Sequence, residues 1–339
     1  MSATRPLHLA VALDGPARFD ATPYADLARL AERGALDFVT LGDSFTRPGL
    51  DALAVLARVA PLTSRIGLVP TVTTTHTDPF QVSTSLATLD WVSQGRAGWA
   101  VGVSGTQAEA RLFGRHPAPS ADALWRQAGE TAEVAARLWD GLEDGAGAGG
   151  GTGEGADAPR PPQGRPPVVV DLTGAGEPGR RTAARHADVV LLRARTPEEA
   201  ERRRAAVLRD AAALGRDPAD LRVLLSISVD LGEGEPCPAF PRADARARAA
   251  ARAAHFSGGP VELAELIGGW HRDGAVDGFH LVPLVPARDM ERIVNGTVAL
   301  LQHRSLFRTF LPGGTLREHL GLRRPLDRRP AAAVAGRAR

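Results

Sequence analysis

Short apolar runs alternate with longer stretches of helical spacing along most of the chain. LHLAVAL (7–13) is the first run, and the segment after it repeats Leu27, Leu30 and Ala31 on one helical face. Pro23 suits that helix's first turn and Gly34 its end. DFVTLGD (37–43), RIGLVPTV (65–72) and RAGWAVGV (96–103) predict further strands, with helices expected at about 50–60, 79–93 and 122–140. VVVDL (168–172), DVVLLRA (188–194), RVLLSISVDL (222–231) and GFHLVPL (278–284) carry the series on. Helices are expected beside them at 176–187, 197–214, about 260–273 and 287–303.

Strands that read as continuous apolar runs and alternate with helices predict a parallel sheet covered by its crossovers. An open doubly wound sheet should carry G-x-G-x-x-G after its first strand, and LDGPARFD lacks it. The pattern therefore predicts an α/β fold, a closed (β/α)8 barrel, as one domain over residues 1–322. Residues 141–167, rich in Gly, Pro and Ala, read as a flexible surface loop within it. Residues 323–339 read as a disordered arginine-rich tail.

Composition narrows the chemistry. The chain has 339 residues, 43% of them hydrophobic, enough for one large core. All 41 basic residues are arginine, so Schiff-base and P-loop lysines are excluded. A net charge of +2 beside a pI near 9.4 follows from the same fact, because only Tyr24 and Cys237 titrate in the alkaline range. The pI is therefore no sign of nucleic-acid binding. One cysteine excludes an intrachain disulfide and a multi-thiolate zinc site. No run is apolar enough to span a bilayer, and the apolar run in MSATRPLHLAVALDG is too short for a signal peptide. A cytoplasmic protein without membrane or nucleic-acid partners is expected.

Several segments together resemble the nitrilotriacetate and dibenzothiophene-sulfone monooxygenase branch of the bacterial-luciferase-like superfamily. They include LAERGALDFVTLGDS (30–44), the stretch from RIGLVPTV to AVGVS (65–104), and LWDGLEDG (138–145). PPQGRPPVVVDLTGAGEPGRRTAARHADVV (161–190), GAVDGFHLVP (274–283) and LFRTFLPGGTLREHLGL (306–322) follow in order. The resemblance implies a luciferase-like barrel and a two-component monooxygenase. A separate flavin reductase would supply reduced FMN, and a C4a-peroxyflavin would oxygenate a small organic substrate. In such chemistry the flavin performs the hard step and the protein positions it and excludes water.

Carried onto this chain, the resemblance points to Asp43, Thr71, Ala100, Trp125 and the turn Gly174–Ala175–Gly176 as flavin-site positions. Asp43 ends the second strand, but the same carboxylate equally suits a helix cap. Thr71 matches a family threonine, although a threonine run is also ordinary strand sequence. His76 reads more readily as a loop histidine than as a ligand. Ala100 stands where relatives carry asparagine, and Ala121 and Trp125 where they carry histidine and tyrosine. Trp125 could stack on a flavin or serve the core, and His116 could replace the histidine only after a loop shift. GAGEPGRR (174–181), between strand and helix, is the phosphate position, and it would gain charge from Arg180 and Arg181 if they turned inward. Gly176 there replaces a serine. No catalytic residue and no metal ligand is assigned.

Two insertions of the relatives are shortened, at 141–167 and at 232–259, where Cys237 reads as a bystander. A trimmed cover would expose the flavin. These departures leave a second reading open, a non-catalytic partner subunit or binding protein on the same barrel. A deazaflavin-dependent reductase is a third. The helices at 50–60 and 79–93 resemble those through which relatives dimerise, so a homodimer is expected. TLREHLGL (315–322) is expected to be structural.

Overall fold

The computed structural model describes residues 5–14, 19–46, 49–114, 117–141, 160–232 and 255–325. Strands β1 (His8–Ala12), β2 (Phe38–Leu41), β3 (Gly67–Thr73) and β4 (Trp99–Gly102) come first, separated by α1 (Thr22–Arg33), α2 (Ala52–Val59) and α3 (Pro79–Val92). The short α4 (Gln107–Leu112) and the long α5 (Ala121–Asp140) precede β5 (Val168–Asp171). Then follow α6 (Gly176–His186), β6 (Val189–Leu192), α7 (Pro197–Ala213), β7 (Arg222–Asp230) and β8 (His255–Ser257). After α8 (Pro260–Arg272) and β9 (Gly278–Pro283), α9 (Pro286–Arg292) runs through a π-helical turn into α10 (Ala299–His303), and α11 (Leu316–His319) ends the series.

All pairings between strands are parallel, and the ring closes through β1–β9, β9–β7 and β7–β6. The result is the closed (β/α)8 barrel that the alternation predicts. β8 is additional: it pairs with Ser228–Asp230 of β7, beyond the point where β6 ends. The sequence reading had placed this segment wholly within a trimmed excursion. Three residues are too few to show periodicity.

The helices seat as expected, with shifts of detail. On α1 the fully buried positions are Ala25, Ala28 and Ala31, while Leu27 and Leu30 are only partly buried at the edge of that face. α2 starts at Asp51, whose side chain accepts the Ala54 N–H at 2.7 Å.

A closed barrel must be filled from inside. The lower half is apolar, with Ala10, Phe38, Val69, Val169, Leu191 and Leu224 meeting in one cluster. Its floor is Leu316 and Leu320 of α11, which plug the N-terminal mouth. Gly67 makes room for the plug, since a Cβ there would lie 2.6 Å from the Leu316 side chain. The TLREHLGL segment is thus structural, and a capping box of Thr315 and Glu318 holds its helix.

Below the barrel sit buried charges. Asp37 accepts from His8 Nδ1 at 2.9 Å and the Leu9 N–H at 2.7 Å, and pairs with Arg308 at 2.7 Å. Burial alone would raise its pKa, but His8 and Arg308 outweigh that and hold it at about 2. Asp90 is pushed up to about 6 by burial, despite bonds from Gln163 and the Ala97 N–H.

Gln163 corrects the reading of 141–167 as one flexible loop. Residues 142–159 lie outside the described residues, whereas Gln163 is buried and donates to both Asp90 and the Ala97 carbonyl at 2.6 Å. A buried amide with such partners anchors its segment. Of the tail, 326–339 lie outside the described residues, and Arg323 is held by Asp217 at 2.5 Å.

Gly278 tests closure directly, because a Cβ there would fall 2.0 Å from the His8 carbonyl oxygen on the neighbouring strand. Gly278→Ala should cost about 3 kcal/mol or more and lower the thermal unfolding midpoint by several degrees. An unchanged midpoint in differential scanning calorimetry would contradict this closure.

Candidate active site

In such barrels the C-terminal ends of the strands carry the chemistry. Asp43 lies just past β2. Its Oδ1 accepts the Ser44 N–H at 2.6 Å and its Oδ2 the Ala52 N–H at 3.3 Å, so it ties its loop to the start of α2. Asp43 and Thr71 nonetheless line one cavity of about 210 Å³, together with Phe45, Leu53 and Gln81. Ala100 pairs in register with Thr71 on the adjacent strand and adds no polar group. His76 sits at the same mouth, stacked on Phe113. His116 and Cys237 lie outside the described residues.

A second group of positions gathers at β5 and α6. Gly174 (φ +74°) and Gly176 (φ +63°) are left-handed, and Ala175 between them is right-handed (φ −75°). Such alternation can form a concavity for an anion at the start of the helix, although the Ala175 N–H itself donates to the Leu172 carbonyl at 3.3 Å, which leaves the N–H groups that follow it for a ligand. The glycine at 176 is therefore a backbone requirement, because a serine would be strained at this φ. Beside the turn, Thr173 Oγ1 is buried without a hydrogen-bond partner among the described residues, and so is Ser104 Oγ at the end of β4. Orphaned hydroxyls at a barrel mouth await a ligand's polar atoms. Turn and hydroxyls both fit a phosphorylated flavin.

The arginines do not turn inward. Arg180 is held by Glu177 at 2.6 Å and also pairs with Asp210, while Arg181 reaches Asp122 at 2.8 Å. Nearby acids on neighbouring helices capture both. Trp125 is buried between α5 and α6: a Cβ on Gly179 would lie 3.0 Å from its ring. Its backbone oxygen accepts the Thr182 hydroxyl at 2.9 Å. It is not among the residues lining the Asp43–Thr71 cavity.

The upper barrel interior holds a polar chain that the sequence reading missed. His280 Nε2 lies 2.8 Å from Thr40 Oγ1, and His280 Nδ1 lies 3.1 Å from Ser226 Oγ. All three are buried. Burial, and then the nearby Arg193 guanidinium, push the imidazole pKa down to about 4. The imidazole is therefore neutral at pH 7, with one nitrogen donating and the other accepting. The signal lay in period 2, since Gly278, His280 and Val282 of GFHLVP share one face of their strand.

These features define a barrel enzyme of the cofactor-binding type, with an anion turn and waiting hydroxyls at one mouth. The chain belongs to the luciferase-like monooxygenase family, whose model matches residues 6–298. This family includes two-component, flavin-dependent monooxygenases. The chain is similar to nitrilotriacetate monooxygenase component A of Aminobacter aminovorans, with 29% identity covering 89% of this chain and 90% of that protein. That alignment runs over 409 positions against a chain of 339 residues, so the relative carries segments absent here. Dibenzothiophene-sulfone monooxygenase of Rhodococcus erythropolis is 25% identical over 89% of this chain and 90% of that protein. The solved EDTA monooxygenase from Chelativorans shares the fold, with a TM-score of 0.81 at 22% identity over 94% of this chain and 99% of that one. Among the described residues, no helix is long and apolar enough to cross a membrane.

The buried histidines set an acid limb. His280, His186 and His319 each fall from 6.5 to about 4, so the stability they confer is present above pH 6.5 and lost as pH falls through 4. Asp90, raised from 3.8 to about 6, acts with the opposite sign: its contribution is present below 3.8 and lost as pH rises through 6. His280→Gln keeps a donor and an acceptor but cannot titrate. It should remove on the order of 1–3 kcal/mol of the acid loss between pH 6.5 and 4, read from urea unfolding at stepped pH. An unaltered limb would mean that His280 does not charge on unfolding.

Proposed function

We propose that this protein uses reduced FMN, delivered by a separate flavin reductase, to insert one oxygen atom of O2 into a small organic molecule. The observation that carries the reading is the Gly174–Ala175–Gly176 turn with the orphaned Thr173 hydroxyl next to it, and a second orphaned hydroxyl, Ser104, past the end of the neighbouring strand β4. Reduced flavin, when bound, supplies the electrons that activate dioxygen. The turn would hold the phosphate through backbone N–H groups, and Thr173 would donate its hydroxyl there. Asp43 and Thr71 would border the flavin across the mouth. His280, neutral and with both ring nitrogens engaged by Thr40 and Ser226, would order the barrel interior below it.

A non-catalytic role is not favoured. The chain matches full-length monooxygenases over about nine-tenths of their length, and Gly174 and Gly176 take the left-handed φ that an anion turn uses. The losses at Ala100 and Gly176 remove side chains, not the concavity.

Anaerobic titration with reduced FMN, followed by an oxygen pulse, tests the reading. Binding and a long-lived absorbance distinct from oxidised FMN are expected, and a parallel titration with reduced deazaflavin should show weaker binding. Gly176→Val should loosen reduced FMN about tenfold or more by abolishing the left-handed turn. No binding of either flavin would overturn the reading.

A homodimer accompanies this proposal. α3 is apolar on more than its core face: Val82, Leu86 and Leu89 are buried, while Phe80, Trp91 and Val92 stand about half exposed. Apolar side chains left exposed at both ends of one helix favour association through it. Trp91→Arg should shift the protein to monomer in analytical ultracentrifugation, and a wild-type monomer at micromolar concentration would refute the dimer.

A further inference from the structure

Three aromatic rings meet at the catalytic mouth from three successive loops. Phe45 follows β2, His76 follows β3, and Phe113 follows α4. His76 and Phe113 stack with centroids 3.9 Å apart at 15°, and Phe45 stands edge-on to Phe113 at 4.8 Å. The two phenylalanines remain 41% and 42% exposed, so packing on one another leaves a large apolar surface open. Phe45 also lines the Asp43–Thr71 cavity, with Leu53 and Val82. Rings exposed at the rim of a cavity are the usual lining of a small-molecule site.

The wall is held in place. Thr74 N–H and Oγ1 both donate to the Gly102 carbonyl, at 3.0 and 3.1 Å, and Thr75 Oγ1 accepts the Ser104 N–H at 2.9 Å. Gln127 of α5 donates to the Thr74 carbonyl at 3.2 Å. A capping box of Thr106 and Glu109 fixes α4, which carries Phe113 at its end. Such clamping lowers the cost of ordering the rings on a ligand.

Charge narrows the ligand. Among the described residues, the charged residues at or just past the ends of β1, β2, β5 and β6 are Asp14, Asp43, Asp171 and Arg193. At these four strand ends a polycarboxylate would meet three carboxylates against one guanidinium, whereas an uncharged ring meets apolar surface at Phe45 and Phe113.

We infer that the substrate class is a neutral, flat, aromatic molecule seated against Phe45, His76 and Phe113, and not a polycarboxylate. This rests on the monooxygenase reading above, and binding separates the two. Isothermal titration of the full chain, with and without FMN, would use dibenzothiophene sulfone as the neutral aromatic probe and nitrilotriacetate as the polycarboxylate. The aromatic probe should bind saturably, and Phe113→Ala and Phe45→Ala should each weaken it about five- to tenfold. Affinity for reduced FMN should stay unchanged in Phe113→Ala, which lies outside the Asp43–Thr71 cavity, and this also shows that the variant is folded; circular dichroism reports folding of Phe45→Ala, and Phe113→Trp should restore the probe. Saturable binding of nitrilotriacetate, aromatic binding indifferent to both substitutions, or binding of neither probe would overturn the inference. If FMN fails to bind while the aromatic probe still does, the flavin reading fails and the wall stands; circular dichroism then reports folding in place of FMN affinity.

Discussion

Closing eight parallel strands into a ring creates an interior that only side chains can fill, and this constraint divides the molecule. The N-terminal half is filled with apolar side chains and sealed by Leu316 and Leu320 from a helix more than two hundred residues away from the first strands. That seal requires near-absent side chains at Gly67 and Gly98, and ring closure requires the same at Gly278. The C-terminal half cannot be sealed the same way and still admit a ligand. Polar groups inside it are tolerable only when paired, and Thr40, His280 and Ser226 pair with each other. The hydroxyls left over, Thr173 and Ser104, lie at the rim and not in the middle.

Most of the barrel was legible because each strand is an uninterrupted apolar run and each long helix has its own period. What escaped was short or tertiary. β8 is three residues and α4 six, below the length at which a period declares itself. The anchoring of Gln163 depends on Asp90, seventy-three positions away, and no local pattern encodes it. The directions of Arg180 and Arg181 were decided by Asp210 and Asp122, again on other elements. His280 was legible in principle, as an inward position of an alternating strand, but a lone histidine in an apolar run carries little signal by itself.

The candidate site divides along the same line between side chain and backbone. Read as side chains, it looks reduced: alanine at 100, glycine at 176, tryptophan engaged in helix packing at 125. Read as backbone, it keeps the left-handed φ at Gly174 and Gly176 that the proposed anion turn needs, because such a turn works through N–H groups whose direction is set by φ and ψ. A serine at 176 could contribute a hydroxyl only at another backbone conformation. In this chain the left-handed glycine has taken the turn, and the buried Thr173 hydroxyl lies beside it.

This asymmetry bears on how such barrels change what they act on. Contacts to a common cofactor that run through the backbone survive substitution of the residues that make them. Contacts to a variable substrate run through side chains on loops, which substitution alters freely. Phe45, His76 and Phe113 come from three different loops, and none belongs to the turn at β5. A wall of this kind can be rebuilt without disturbing the anion site, provided the clamps on Thr74 and Thr75 keep the loops together. Substrate choice and flavin binding would then be separable by mutation in this protein, because they are carried by different chemical parts of the chain.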